Sequence, residues 1–280
     1  MFEDRPRAKI NLTLEIVGRR PDGYHELRSR FLRVGLTDRL TMQPGGADGT
    51  DTLMVSGLDD LPVKDNLVLR AVQALRAHVG IKLPALDIAL DKRIPVAAGL
   101  GGGSSDCASA LKLAQACWGV GVSEADELAL AAELGSDVPF FSAGHAAAVA
   151  TGRGEHLEPV EPPVESGVLL VTPLARLSTP RVFARYDDLG KEHDESGNDL
   201  WPAAASLEPS LVELRTALTE ATQLEWRMSG SGPTLFALYP AVTEAADAGR
   251  ALVQSRLAVL DGSQINAVDL VGPDPAWRFP

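Results

Sequence analysis

Cysteine is scarce: the 280 residues hold two, Cys107 and Cys117, too few for a disulfide framework. Both fall in one stretch with helical spacing, where ten residues put them roughly 15 Å apart. That is beyond the span of a disulfide within one straight helix, so they read as reduced, buried small residues. Aromatics make up only 5% of the chain, and the core must rest on alanine, leucine and valine. No uninterrupted apolar run approaches the roughly 20 residues of a membrane span. The opening MFEDRPRAKINL lacks the apolar segment of a secretory signal. Positive charge is short as well, with 26 Lys and Arg against 38 Asp and Glu and a net charge of -12. Only Arg5, Arg7 and Lys9, and Arg19 with Arg20, form even mild basic groups, and the overall field repels a nucleic-acid backbone. The expectation is a cytoplasmic protein with no nucleic-acid and no membrane partner, either a monomer or a weak homodimer. Any anionic ligand must be held locally, by backbone N–H groups and one or two cations.

What the chain does contain is an alternation of strand and helix patterns. AKINLTLEIV, residues 8–17, sets Ile10, Leu12, Leu14 and Ile16 on one face and Lys9, Asn11, Thr13 and Glu15 on the other, an amphipathic strand. A Pro-Asp-Gly turn signal follows at 21–23. FLRVGLTDRLTMQP and DTLMVSGL read as further strands around a flexible GGADGT. Residues 65–79 read as a helix behind Asp65 or Asn66 as cap. LPALDIALDKRIP reads as a strand, 104–118 as a helix, and 123–134 as a helix opened by Ser123 and Asp126, close to a capping box. GSDVPFFSAG interrupts the helices and HAAAVATG reads as a strand. Residues 153–166, rich in Pro and Glu, have neither period and read as a surface connection near a domain boundary. Beyond it come a strand at VLLVTP, a helix at STPRVFARYDDL, a polar loop at KEHDESGNDLWP and a helix at PSLVELRTALTEA. A small-residue turn in WRMSGSGPTLFALYP then leads into a strand, followed by a helix at EAADAGRALVQSRLA and a strand at SQINAVDLVG. With no internal repeat, this mixture suggests two α+β domains rather than one doubly wound sheet.

Three features carry chemistry. The first is PVAAGLGGGSSD, residues 95–106. Glycine lets a backbone approach a ligand closely and adopt positive φ. The unpaired N–H groups and dipole of the following helix favour an anion at its start. The stretch lacks the lysine of GxxxxGK[ST] and has no acidic residue where a GxGxxG unit would need one. A structural turn remains the alternative, and the length of the glycine run directly before a good helix favours a phosphate cradle. The second feature is Lys9, which shares a strand face with Asn11; a lysine there is also a common exposed edge charge. The third is Asp137, in LGSDVPFF, where an aspartate commonly caps a helix or makes an Asx turn. Together they supply a cradle, a cation and a carboxylate, the parts that phosphoryl transfer to an alcohol needs.

The chain resembles the GHMP kinase superfamily nearly end to end. The resemblance rests on AKINLTLEIVGRRPDGYHEL at 8–27, PVAAGLGGGSSD at 95–106, LGSDVPFF at 134–141, GNDL at 197–200 and SGSGPTLFALY at 229–239. PDGYHEL together with GSDVPFF is similar to the members whose acceptor carries a cytidine diphosphate. What this implies is a two-domain α+β fold, with an N-terminal domain like the second domain of ribosomal protein S5 over 1–155 and a ferredoxin-like C-terminal domain over 156–280. It further implies ATP-dependent phosphorylation, with Mg²⁺, of the 2-hydroxyl of a methylerythritol unit in the non-mevalonate isoprenoid route. The resemblance casts Asp137 as the base that takes the hydroxyl proton and Lys9 as its partner. Pro95, Val96, Ala97, Ala98, Gly99, Leu100, Gly101, Gly102, Gly103, Ser104 and Ser105 become the ATP triphosphate loop. Asp106 is assigned to capping or orienting that loop. Tyr24 and His25 become the cytosine readers, Phe183 the opposite stacking face, and Asn11 a residue lining the acceptor site. Residues 229–232 are expected to pack beside the site or to serve as a tight turn. The rival readings are a homoserine or mevalonate kinase of the same superfamily, a nucleotide binder without turnover, and a purely structural protein.

Overall fold

The strands and helices below are those of a computed structural model describing residues 1–45, 49–57, 65–190, 197–255 and 257–272. β1 (Phe2–Asp4) is too short to show a period. The alternating stretch becomes β2 (Arg7–Arg19), which turns back through residues 20–24 into β3 (His25–Thr37). Arg20 accepts from Gly23 and donates to the Tyr24 carbonyl in that turn, at 3.1 and 2.8 Å. β4 (Arg39–Pro44) and β5 (Thr52–Ser56) follow. α1 (Leu67–Val79) starts behind Asn66, whose side chain accepts from the Val68 amide, so Asn66 rather than Asp65 is the cap. β6 (Leu86–Asp91) then leads through the glycine loop into α2 (Gly102–Trp118), which begins inside the glycine run rather than at 104.

Next come α3 (Glu124–Leu134), capped by Ser123, and α4 (Val138–Ser142), one short turn within the segment expected to interrupt the helices. β7 (Ala147–Gly152) and β8 (His156–Pro159) close this part. β8 lies inside 153–166, where four residues ending in proline offer too little pattern to reveal a strand. Then come β9 (Gly167–Thr172), α5 (Thr179–Leu189), α6 (Trp201–Leu207), α7 (Ser210–Thr222), β10 (Arg227–Met228), β11 (Leu235–Tyr239), α8 (Val242–Ser255) and β12 (Gln264–Asp269). α6 begins in the last two residues of KEHDESGNDLWP, the segment read as a polar loop. Parts of GGADGT and KEHDESG and one residue after α8 lie outside the described residues. No helix among the described residues is long and apolar enough to cross a membrane.

The described strands form three four-stranded sheets, ordered β1-β4-β6-β5, β2-β3-β7-β8 and β10-β11-β9-β12. Only β5 and β6 pair in parallel, joined through α1, and the other pairs are antiparallel. This is the mixed α+β architecture expected. β8 pairs with β7, so the connection to the second half follows Pro159.

β2 shows how the halves are joined. Its apolar face is split: Ile10 and Leu12 pack with Leu32, Val168, Leu170 and Phe236, whereas Leu14 and Ile16 enter the cluster around Leu169, Val171 and Trp226. Each such side chain contributes about 1.5–3 kcal/mol by leaving water. The GNDL stretch completes the junction. Leu14 donates to the Gly197 carbonyl at 2.8 Å, the Ile16 amide donates to Asp199 at 2.8 Å, and Asn198 donates to the carbonyls of Met228 and Gly230 at 2.7 and 2.9 Å. The polar face of β2 is the surprise: Lys9 and Asn11 are as buried as the apolar face, and only from Thr13 onward does it turn to solvent.

Candidate active site

Lys9 and Asn11 are covered because the glycine loop crosses them. The Lys9 amide donates to the Leu100 carbonyl at 2.9 Å, and Gly101, at φ 68, stands where a Cβ would press on the Lys9 stem and the Phe141 ring at 3.1 Å. The Lys9 ammonium donates to Asn11 Oδ1 at 2.6 Å, lies 3.2 Å from Asp137 Oδ2 and sits 4.8 Å over the Phe31 ring. An ammonium has three donors; Asn11 and Asp137 take two, leaving one for a ligand. Asn11 is fixed in turn by its donation to Ser29 at 2.8 Å.

Asp137 occupies the residue before α4, yet its side chain makes no capping bond. The sequence-based alternative of a cap or Asx turn therefore does not describe it. Its carboxylate is held by Lys9 through one oxygen, and the residue lines a cleft of about 1020 Å³, roomy enough for two ligands against the 300–1,000 Å³ of ordinary ligand pockets.

Residues 95–104 line this cleft, and Ser105 does not: it is buried on the other side of the loop, near Arg7 and Phe141. The first bond within α2 runs from the Ser105 amide to the Gly101 carbonyl at 2.9 Å. The amides of Gly102, Gly103 and Ser104 have no acceptor within the helix, and they lie at the cleft wall. The 229–232 turn packs against the back of this loop. Ser229 donates to the Gly99 carbonyl at 2.8 Å and accepts from the Asn11 amide at 3.1 Å. Gly99, at φ 77, has no room for a side chain, since a Cβ would overlap the Ser229 carbonyl oxygen. Gly99→Ala is thus expected to lower stability by about 2–5 kcal/mol, combining left-handed strain with overpacking, as measured by urea unfolding.

Both ends of the loop are tied to one buried ion cluster. Lys92, just after β6, donates to Asp38 and, at 2.7 Å, to Asp106 Oδ2. Asp38 also accepts from the amides of Arg93 and Ile94 at 2.6 and 2.8 Å. Asp106 is therefore an orienting group within α2 rather than a cap: Gly101 is the cap residue, with no side-chain bond. Two carboxylates share one ammonium away from water. Burial, opposed by Lys92 and aided by Asp38, pushes the Asp106 carboxyl up to about 7. Burial also works against the Lys92 charge, but the two carboxylates outweigh it and hold the ammonium above the ordinary lysine range.

At the other end of the cleft the β2–β3 turn presents Tyr24, largely exposed, and His25. His25 Nε2 lies 2.8 Å from Asp187 Oδ1 of α5. An ionised carboxylate only accepts, so Nε2 is the donor of this bond. Phe183 stacks on His25, with centroids 5.0 Å apart and planes at 25°. One face of Phe183 is therefore covered by the imidazole. The sequence reading missed Lys92 and Asp38 and did not foresee Asp187 as the partner of His25. Only Lys92 gave a local signal, a charge at the end of an apolar strand directly before the glycine loop.

A buried ammonium paired with a half-buried carboxylate beside a helix start, in a cleft between two α+β halves, fits a phosphotransferase, and comparison with known proteins agrees. Residues 66–145 match the GHMP kinases N terminal domain and residues 183–258 the GHMP kinases C terminal domain. The chain is similar to the 4-diphosphocytidyl-2-C-methyl-D-erythritol kinase of Pelotomaculum thermopropionicum, 42% identical over 252 residues that cover 83% of this chain and 87% of that one. It is likewise similar to the enzyme of that name from Salinispora arenicola, 41% identical over 93% of this chain and 89% of that one. A crystal structure of 4-(cytidine 5'-diphospho)-2C-methyl-D-erythritol kinase superposes with a TM-score of 0.78 at 33% identity, covering 97% of this chain and 100% of that one. A homoserine kinase from Cytophaga hutchinsonii shares the fold, with a TM-score of 0.73 at 18% identity over 97% of this chain and 96% of that one. The protein is a GHMP kinase, an ATP-dependent enzyme acting on a small molecule. Within that class it belongs to the family of 4-diphosphocytidyl-2-C-methyl-D-erythritol kinases.

Proposed function

We propose that this chain phosphorylates the 2-hydroxyl of 4-diphosphocytidyl-2-C-methyl-D-erythritol, using ATP and Mg²⁺, in the cytoplasm and as a monomer or weak homodimer. The observation that carries the reading is the Lys9–Asp137 pair, a cation and a carboxylate at 3.2 Å facing the same cleft as the glycine loop and the Tyr24–His25 turn. The domains expected over 1–155 and 156–280 are kept in this reading, with the join moved to just after Pro159 because β8 (His156–Pro159) pairs with β7.

In this reading the amides of Gly102, Gly103 and Ser104 donate to phosphate oxygens at the start of α2. Asp137 takes the proton of the acceptor hydroxyl through the oxygen that Lys9 does not hold. Lys9 turns its third donor toward the oxygens on which charge gathers during transfer. Asn11 keeps the ammonium aimed between the two, and Tyr24 with His25 supplies a flat surface and a hydrogen-bonding edge for a small base. Among the described residues no cluster of three or more His, Cys, Asp or Glu could cage a metal. This donor set fits magnesium carried on the triphosphate, since that ion keeps several waters and favours phosphate oxygens over all-protein cages. The residues that hold the nucleotide would then hold the metal, and the ion would neutralise charge on the phosphates.

The test is ADP release with ATP and Mg²⁺ present and three acceptors in parallel: the cytidylylated methylerythritol, homoserine and mevalonate. Turnover is expected with the first alone. Turnover with another alcohol would keep the kinase and discard this substrate. Nucleotide binding without turnover on any acceptor would favour the non-catalytic reading.

A further inference from the structure

The cleft of an acidic protein must compensate an acceptor that carries two phosphates between its base and its reacting hydroxyl. Each cation lining it faces a carboxylate, and one of them keeps a buried hydrogen-bond donor unused. Lys9 is engaged by Asn11 and Asp137, and Lys92 is locked between Asp38 and Asp106. Arg19 faces Asp187 at 3.5 Å. Arg153 is different. It stands in the tight turn between β7 and β8, and its Nε is buried with no hydrogen-bond partner. It forms an ion pair with Glu155, whose Oε1 lies 3.7 Å from that Nε, close enough for charge pairing and too far for a hydrogen bond.

The position of Arg153 is specific. Its guanidinium carbon lies 5.2 Å from the centre of the Tyr24 ring, a cation–π distance. The next residue, Gly154, borders the catalytic carboxylate: a Cβ on it would stand 3.5 Å from Asp137 Oδ1. Arg153 therefore bridges the two ends of the acceptor site, touching the ring assigned to the base and adjoining the group assigned to the hydroxyl. The part of the acceptor spanning that interval is the ribose diphosphate. A planar guanidinium with unused donors matches phosphate oxygens better than any other side chain. We infer that Arg153 binds the diphosphate of the acceptor substrate and so distinguishes a nucleoside diphosphate conjugate from the bare nucleoside. The inference rests on the function proposed above. Arg153 is one side chain of a turn, with no share in the chemistry at Asp137.

The experiment is calorimetric titration of cytidine 5'-diphosphate and of cytidine into the wild type, Arg153→Met and Arg153→Lys, with thermal melts to confirm that all three fold. The wild type should bind the diphosphate about 10- to 100-fold more tightly than the nucleoside, the range for charge-assisted bonds to phosphate. Arg153→Met should lose most of that ratio and Arg153→Lys should recover part of it. In turnover, Arg153→Met should raise KM for the acceptor while leaving kcat and KM for ATP near their wild-type values. An unchanged ratio in Arg153→Met overturns the inference and leaves the proposed function standing. A wild type that binds neither compound takes away the cytidine reading and the inference with it.

Discussion

Asp137→Asn is expected to reduce ADP release by about 10²- to 10⁴-fold, the usual contribution of a positioned general base, while nucleotide affinity is retained. The substitution keeps the shape of the side chain, and the residue caps nothing, so α4 loses no bond. What changes is chemistry. The amide accepts no proton, and Lys9 faces a neutral oxygen where it had an anion at 3.2 Å. The loss should appear in kcat, because the interaction that disappears is one made as the hydroxyl proton leaves. Coupled ADP-release kinetics measure it, and nucleotide titration of the same variant supplies the control. A variant turning over at near the wild-type rate would remove Asp137 from the mechanism. Simultaneous loss of nucleotide binding would make the residue a structural support of the loop.

Most long elements were legible in the sequence because their periods run for ten residues or more: β2, α1, α2, α7 and α8 are all foreseen by spacing. β1, β8, α4 and α6 were not, since three to seven residues cannot establish a period. The site was legible to the extent that it is written in contiguous motifs, as in the glycine loop and the Tyr24–His25 turn. Its burial was not. Alternation along β2 says which residues share a face and nothing about what lies over it, so an exposed Lys9 remained an ordinary alternative until the crossing of the glycine loop closed that face. Arg153, Asp187 and Asp38 stand outside the recognised motifs and acquire meaning only through partners distant in the chain: Asp187 lies 162 residues from His25, and Asp38 lies 54 from Lys92.

The Asp38–Lys92–Asp106 cluster makes the second large effect a matter of stability. Lys92→Met should destabilise the protein by about 3–5 kcal/mol, because deleting the shared ammonium strands two buried carboxylates, and the cost of breaking a buried pair comes mainly from the charge left behind. Asp38 retains the amides of Arg93 and Ile94 as donors, so the greater penalty falls on Asp106, whose Oδ1 already has no partner. Adding Asp106→Asn to Lys92→Met should therefore recover part of the loss, the non-additivity expected of groups in contact. The raised pKa of Asp106 fixes the sign of the pH dependence. The folded chain binds this proton more tightly than the unfolded one, so its contribution is complete below the ordinary carboxylate range and fades as pH rises through about 7. Urea midpoints at pH 5 and pH 8 should differ in that direction in the wild type, and the difference should shrink in Asp106→Asn. Because the cluster joins the strand end before the glycine loop to the helix after it, Lys92→Met should also raise KM for ATP at temperatures where the variant remains folded. A variant as stable as the wild type would show that the carboxylates find other partners or are neutral, and that the loop is held by its packing against Ser229 alone.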